Sequence, residues 1–225
     1  MTHEMLSLDA GGASFRAAYL PSQKAPNGPG LVVVHEWWGL NDAFVAFASR
    51  FAAEGFTVLA PDLYDGRVAT DGPSAGALMQ AMKTERAMEI VASCTTELAR
   101  RTGRKVGVTG FCMGGALAFA AATSLDGLAC ALPFYGIPRA DYFDATKVRC
   151  PIQAHFAKED DWAQPERARA FADAVKKHGG AMELHVYDAG HAFMRESDPN
   201  VYSAEQSAIA WERSLAYLHA HLGGA

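Results

Sequence analysis

Lys105-Val106-Gly107-Val108-Thr109, followed at once by Gly110-Phe111-Cys112-Met113-Gly114-Gly115, is the stretch that decides the fold. The first five residues have the β-branched, apolar character of a buried strand. The next six have the form Gly-x-nucleophile-x-Gly, and the Ala-rich run Ala116 to Thr123 continues them as a helix. A strand that turns sharply into a helix needs small flanking residues, because the two backbones pass close together. The residue at the turn is held in a strained conformation and projects from the sheet edge. Here that residue is a cysteine, and the helix N-terminus beneath it favours negative charge on the sulfur.

The same alternation extends outward in both directions. Upstream, Leu31 to Val34 reads as a buried strand, Asp42 to Glu54 as a helix stopped by Gly55, and Phe56 to Ala60 as a strand closed by Pro61. Phe44, Phe47, Ala48 and Phe51 recur at helical spacing. The Pro21 to Gly30 stretch reads as a hairpin or loop between early strands. Pro73 to Arg101 reads as two helices, with Leu78, Met79, Met82, Ile90, Val91 and Leu98 facing inward. Downstream, strands are expected at Leu128 to Tyr135, Pro151 to Phe156 and Glu183 to Tyr187. Helices are expected at Glu166 to His178 and Ala204 to Leu222. This pattern predicts one α/β domain over residues 1–225, with a mostly parallel sheet covered by helices on both faces. Sites in such sheets form beyond the carboxyl ends of the strands.

Bulk properties narrow the function. The 225 residues are 50% hydrophobic and 20% charged, with a formal net charge of −5. That is enough apolar residue for a sizeable core and carries no basic footprint for nucleic acid or an anionic membrane. No run approaches the length of a membrane span. Met1-Thr2-His3-Glu4-Met5 does not open like a secretory leader, so a cytoplasmic, unexported protein is expected, as a monomer or small homo-oligomer. Cys94, Cys112, Cys130 and Cys150 are scattered without a CxxC pair, so free thiols are expected and a zinc site is not. The start of an HExxH motif at His35-Glu36 lacks its second histidine. No cofactor or metal is expected.

A cysteine nucleophile needs a base. His191 lies just past a strand, in Asp188-Ala189-Gly190-His191-Ala192-Phe193, where Gly190 permits a tight loop. His3, His178, His219 and His221 sit at a chain end or on helices and read as solvated. His155 and His185 fall inside strands and read as packing residues. The acid that orients the base belongs after a strand between the two, in Ala157-Lys158-Glu159-Asp160-Asp161. Asp160 and Asp161 both satisfy that chemistry. The chain order nucleophile, acid, histidine is that of α/β-hydrolases.

Taken together, His35-Glu36-Trp37-Trp38-Gly39-Leu40-Asn41, Pro61-Asp62-Leu63-Tyr64, Gly110 to Gly115, the Asp160 loop and Ala189-Gly190-His191-Ala192-Phe193 resemble the dienelactone hydrolase (carboxymethylenebutenolidase) family. The resemblance covers almost the whole chain. It implies the α/β-hydrolase fold, a triad of Cys112, Asp160 and His191, and Asp160 rather than Asp161 as the acid. It implies that Glu36 contacts the resting nucleophile and helps activate it. It also implies an oxyanion hole formed by the backbone N–H groups of Trp37 and Met113. Arg195, four residues after His191, matches an arginine that holds a substrate carboxylate, and Tyr135 lines the pocket. The stretch Ala69 to Ala77 lacks the family's second carboxylate-binding arginine; Arg67 and Arg86 are the nearby alternatives. The implied reaction is cleavage of a small ester or lactone through a thioester, with a dienelactone from chlorinated aromatic breakdown as a plausible substrate. A broader carboxylesterase or thioesterase and a non-catalytic thiol sensor are the competing readings.

Overall fold

The computed structural model describes residues 3–223. Among these, eight strands form one sheet in the order β1-β2-β4-β3-β5-β6-β7-β8. Its centre is β3 (Gly30–Val34), β4 (Thr57–Pro61) and β5 (Val106–Phe111), whose residues are buried throughout. Parallel strands covered on both faces demand this continuous apolar character. From β4 through β3, β5, β6 (Leu128–Phe134) and β7 (Ile152–Glu159) to β8 (Met182–Gly190), neighbours pair in parallel. β1 (Glu4–Ala10) and β2 (Ala13–Leu20) form an antiparallel hairpin that joins the β4 edge. The Pro21 to Gly30 stretch is the loop from β2 into β3.

Helices cover both faces. α1 (Asp42–Ala53) and α6 (Ala204–Leu222) pack with Leu31, Val33, Val58 and Leu132 in one core. α3 (Thr84–Thr102), α4 (Met113–Ser124) and α5 (Pro165–Lys177) pack with Val32, Val34, Leu59 and Val108 in the other. The expected helical segment before β5 is indeed two helices, α2 (Gly72–Ala81) and α3. Local signals set the ends. Asn41 caps α1 by accepting the Phe44 N–H at 2.8 Å, Asp71 and Ser74 form a capping box on α2, and Gly103 ends α3 in the left-handed region.

Two histidines read as solvated are half-buried instead. His219 stacks on Phe56 with ring centroids 5.0 Å apart, and His221 Nδ1 donates to the Tyr217 carbonyl at 2.9 Å. A long terminal helix turned to the sheet has less solvent face than its sequence suggests. His155 is a packing residue as expected: it is buried, stacks on Phe134 at 4.4 Å and meets Tyr187 Oη at 2.7 Å. No described helix is long and apolar enough to cross a membrane.

Candidate active site

The carboxyl ends of β3, β5, β6, β7 and β8 deliver Glu36, Cys112, Tyr135, Asp160 and His191 to one edge of the sheet. Cys112 sits between β5 and α4 at φ 54°, ψ −115°. That is the left-handed side of φ, costly for a residue with a Cβ and stable only where packing enforces it. The enforcement is visible at Gly114. A Cβ there would collide with the Val34 carbonyl and lie 2.7 Å from the His35 carbonyl oxygen. The turn is thus pressed onto the end of β3, which brings Cys112 beside the Glu36-Trp37 segment.

That segment is itself pinned. His35 is fully buried; its Nδ1 donates to the Glu36 carbonyl at 2.5 Å and its Nε2 accepts the Leu63 N–H at 3.2 Å. Burial, only partly opposed by the Glu36 carbonyl and Asp62, lowers its pKa to about 4. A neutral imidazole therefore ties the end of β3 to the chain following β4. The sequence placed His35 in the resemblance to the family and in an incomplete HExxH start, and gave its side chain no bracing part. Its position two residues before Trp37 was the available clue to this bracing part.

His191 Nε2 lies 3.1 Å from Cys112 Sγ, and His191 Nδ1 lies 2.7 Å from Asp160 Oδ2. Asp160 Oδ1 accepts the N–H groups of Trp162 at 2.9 Å and Ala163 at 2.8 Å. Asp161 is exposed, and its neighbour Asp160 makes the contact to His191. Burial acts to raise the Asp160 pKa, but the His191 hydrogen bond and the backbone N–H of Ala163 outweigh it and leave it lowered. Burial likewise opposes charge on His191. Its hydrogen bonds to Asp160 and Cys112, with the charges on both, prevail and raise its pKa to about 10. The imidazole is accordingly held as a cation between a carboxylate and the sulfur.

Glu36 is buried and directed elsewhere. Tyr135 Oη donates to its Oε1 at 3.3 Å, and Arg195 Nη1 donates to its Oε2 at 3.3 Å. Cys112 Sγ has its hydrogen bond with His191, not with Glu36. Burial raises the Glu36 pKa despite the nearby charges of Arg195 and His191. Arg195 is also bonded to Asp198 at 2.8 Å, and its guanidinium lies over the Trp38 ring at 5.3 Å. Tyr135 is buried, with its ring edge-on to His191 at 5.2 Å. Met113 follows Cys112 directly, at the first turn of α4, and Trp37 lies three residues past the end of β3. Helix N-termini leave N–H groups without intrahelical acceptors, so the Met113 N–H is available there.

Neither alternative arginine joins this group. Arg86 is engaged with the Ala10 and Ala13 carbonyls of the N-terminal hairpin, and Arg67 Nε donates to the Tyr64 carbonyl at 3.0 Å. Cys94, Cys130 and Cys150 are buried and unbridged, and burial raises the pKa of each thiol. Among the described residues, no group of three or more His, Cys, Asp or Glu side chains is placed to hold a metal ion.

Residues 16–222 match the model of the dienelactone hydrolase family. The chain belongs to that family. It is 32% identical over 230 residues to "Protein usf" of Aquifex pyrophilus, covering 97% of this chain and 99% of that protein. It is 30% identical over 231 residues to a carboxymethylenebutenolidase of a Pseudomonas species, covering 97% and 95%. In fold it is similar to a dienelactone hydrolase-like promiscuous phosphotriesterase from metagenomic libraries, at TM-score 0.84 and 22% identity over 99% of both chains. An acylaminoacyl peptidase of Pyrococcus horikoshii contains the same fold in part: TM-score 0.77 at 12% identity, covering 100% of this chain and 42% of the other. Family and fold together make this dienelactone hydrolase family member a carboxylic ester hydrolase acting on small esters or lactones.

Proposed function

We propose that Cys112 is the nucleophile, His191 the general acid and base, and Asp160 the residue that orients and charges His191. The observation that carries this reading is the 3.1 Å contact between Cys112 Sγ and His191 Nε2, backed by the 2.7 Å contact to Asp160. The sulfur, as thiolate, attacks the ester carbonyl. The developing oxyanion is received by the backbone N–H groups of Trp37 and Met113, and such donors typically contribute several kcal/mol. The imidazolium then gives its proton to the departing alkoxide, leaving a thioester. Water, deprotonated by His191, cleaves the thioester, releases the acid and restores the thiolate–imidazolium pair. For a lactone, the alcohol and acid remain in one product.

Glu36 modulates this cycle. Its buried carboxyl stands one residue from Trp37 and is bonded to Tyr135, so its protonation state sets the charge felt beside the sulfur. Four unbridged thiols suit a reducing, cytoplasmic setting. A lactone carrying a carboxylate, as the name of the Pseudomonas relative suggests, is one substrate reading, with Arg195 as its anchor. A broader carboxylesterase or thioesterase is the second. It is favoured by the prior engagement of Arg195 with Glu36 and Asp198.

Alkylation of Cys112 followed by an ester assay tests the mechanism. Loss of p-nitrophenyl acetate hydrolysis in step with modification is expected, together with a thioester mass adduct in a single turnover. Activity that survives full modification of Cys112 sinks the nucleophile. Alkylation without any hydrolysis by the unmodified protein favours a thiol sensor.

A further inference from the structure

The two backbone donors assigned to the oxyanion come from different strands: Trp37 follows β3 and Met113 follows β5. Both must reach one oxygen, so their spacing has to be held to within about 0.5 Å. Gly114, pressed onto the Val34 and His35 carbonyls, fixes part of that spacing. Tyr64 meets the same two segments from another side.

Tyr64 lies three residues past β4, which flanks β3 on the side away from β5. To reach α4, its side chain passes the end of β3. The residue is 1% exposed. Its ring meets the His35 ring at 5.2 Å and 64°, and a Cβ on Gly39 would lie 3.3 Å from Tyr64 Cδ2. The phenol is thus packed against the chain on both sides of Trp37. Its hydroxyl donates to Met113 Sδ at 3.1 Å. One side chain therefore touches the segment that carries each donor.

The anchor of this side chain is itself fixed. The Tyr64 N–H donates to Asp62 Oδ1 at 3.0 Å, and the Leu63 N–H donates to His35 Nε2 at 3.2 Å. Phenylalanine would fill the same volume without a hydroxyl to satisfy, and a thioether is a weak acceptor. What the hydroxyl adds is direction. It fixes where the Met113 side chain points, and with it the first turn of α4. Burial, and then the charge on Cys112, push the Tyr64 pKa well above its ordinary value. The phenol accordingly stays a donor while the sulfur is a thiolate.

We propose that Tyr64 is a positioning residue for the oxyanion hole, setting the spacing of the Trp37 and Met113 N–H groups through its ring and its bond to the Met113 sulfur. This rests on the Cys112 mechanism above. Acylation and deacylation both pass through an oxyanion, so Tyr64 acts on both steps and leaves the thiolate itself unaltered.

The test separates the oxyanion from the sulfur with three reagents. Turnover of p-nitrophenyl acetate needs both. A trifluoromethyl ketone is attacked by the thiolate: the C–S bond forms as the carbonyl electron pair moves onto oxygen, leaving an anionic hemithioketal that needs the two N–H groups. Iodoacetamide alkylates the thiolate, loses iodide and develops no oxyanion. In Tyr64→Phe, kcat for the acetate and affinity for the ketone should each fall about 5-fold, with KM and the alkylation rate within about 2-fold of native. Met113→Leu, a volume-conserving change, should give the same pattern. Adding Tyr64→Phe to it should cost less than about 2-fold more.

Native kcat and ketone affinity in Tyr64→Phe overturn the proposal, and with a lowered Tm they leave Tyr64 a packing residue. An alkylation rate that falls as far as kcat also overturns it, because the effect then lies on the sulfur. So do losses that multiply fully in the double variant, which uncouple Tyr64 from Met113. If Tyr64→Phe does not fold, Met113→Leu carries the same three measurements, and native kcat and ketone affinity there overturn the proposal. Native hydrolysis that survives full alkylation of Cys112 is a different failure. It refutes the Cys112 mechanism before any Tyr64 variant is read, and this proposal falls with it.

Discussion

Asp160 and His191 meet at 2.7 Å through Oδ2 and Nδ1, while the other oxygen of Asp160 is fixed by the N–H groups of Trp162 and Ala163. The carboxylate is therefore immobile before it does anything to the imidazole. Asp160→Asn keeps the shape, removes the charge and presents an amide that favours the wrong imidazole tautomer. Hydrolysis should fall on the order of a thousand-fold or more, with a smaller effect on KM. A loss below about 10-fold in steady-state kinetics would remove Asp160 from the mechanism.

The pH profile follows from the same contact. His191, raised to about 10, keeps its proton through neutral pH and loses it on the alkaline side. The rate should decline as pH rises through about 10, and in Asp160→Asn this limb should move to lower pH. A limb that stays in place in the variant would show that another group titrates there.

Stability should depend on pH with the same sign. A group whose proton affinity is higher in the folded state stabilises the protein below its unfolded pKa and loses that contribution as pH rises through the folded value. For His191 the window runs from 6.5 to about 10. The Tm advantage of the native protein over His191→Gln should be greatest below that window and shrink across it. Asp160, lowered on folding, acts in the opposite sense: its contribution is lost as pH falls into the acid range. Thermal melts across pH check both, and an advantage that grows with rising pH contradicts the assignment.

Gly114→Ala tests the turn itself. The new Cβ meets the Val34 and His35 carbonyls, backbone atoms that cannot rotate away. Overpacking of this kind costs about 1–3 kcal/mol, and it should also displace Cys112 from His191. Denaturant unfolding and the rate should worsen together. A variant with native stability and rate would show that α4 has room to shift.

Arg195→Ala leaves the buried Glu36 with Tyr135 as its remaining hydrogen-bond partner. Removing one member of a buried pair costs about 3 kcal/mol or more. The Arg195 charge also lowers the Glu36 pKa, so its loss should let that pKa rise further, and activity that needs the Glu36 carboxylate should then fall at a higher pH on the acid side. An acid limb that does not move separates Glu36 from the activity.

Much of this arrangement was legible in the sequence because it depends on local rules. The β-branched run before Gly110, the small residues around Cys112 and the glycine before His191 each dictate a turn at a strand end. The N-terminal hairpin was less visible: β1 alternates at Leu6 and Leu8, but β2 is too rich in alanine to show a period, leaving Gly11-Gly12 as its main signal. Choosing Asp160 over Asp161 from residues alone was not feasible, since adjacent carboxylates differ only in which way the loop turns them. The partners of Glu36 and Arg195 were hidden for another reason. They bring together residues 36, 135, 195 and 198 from four separate segments, and no local pattern encodes such a meeting.

Trp162 stands 73% exposed, two residues past Asp160, with its ring 6.0 Å from that of Trp37. Its own N–H holds the carboxylate that charges His191. An indole so placed in water emits at long wavelength, and any molecule that covers it or tilts its loop alters that emission. The enzyme thus carries an optical reporter on the Asp160 loop, whose share of a stopped-flow trace is separated from that of the three other tryptophans by a Trp162→Phe control.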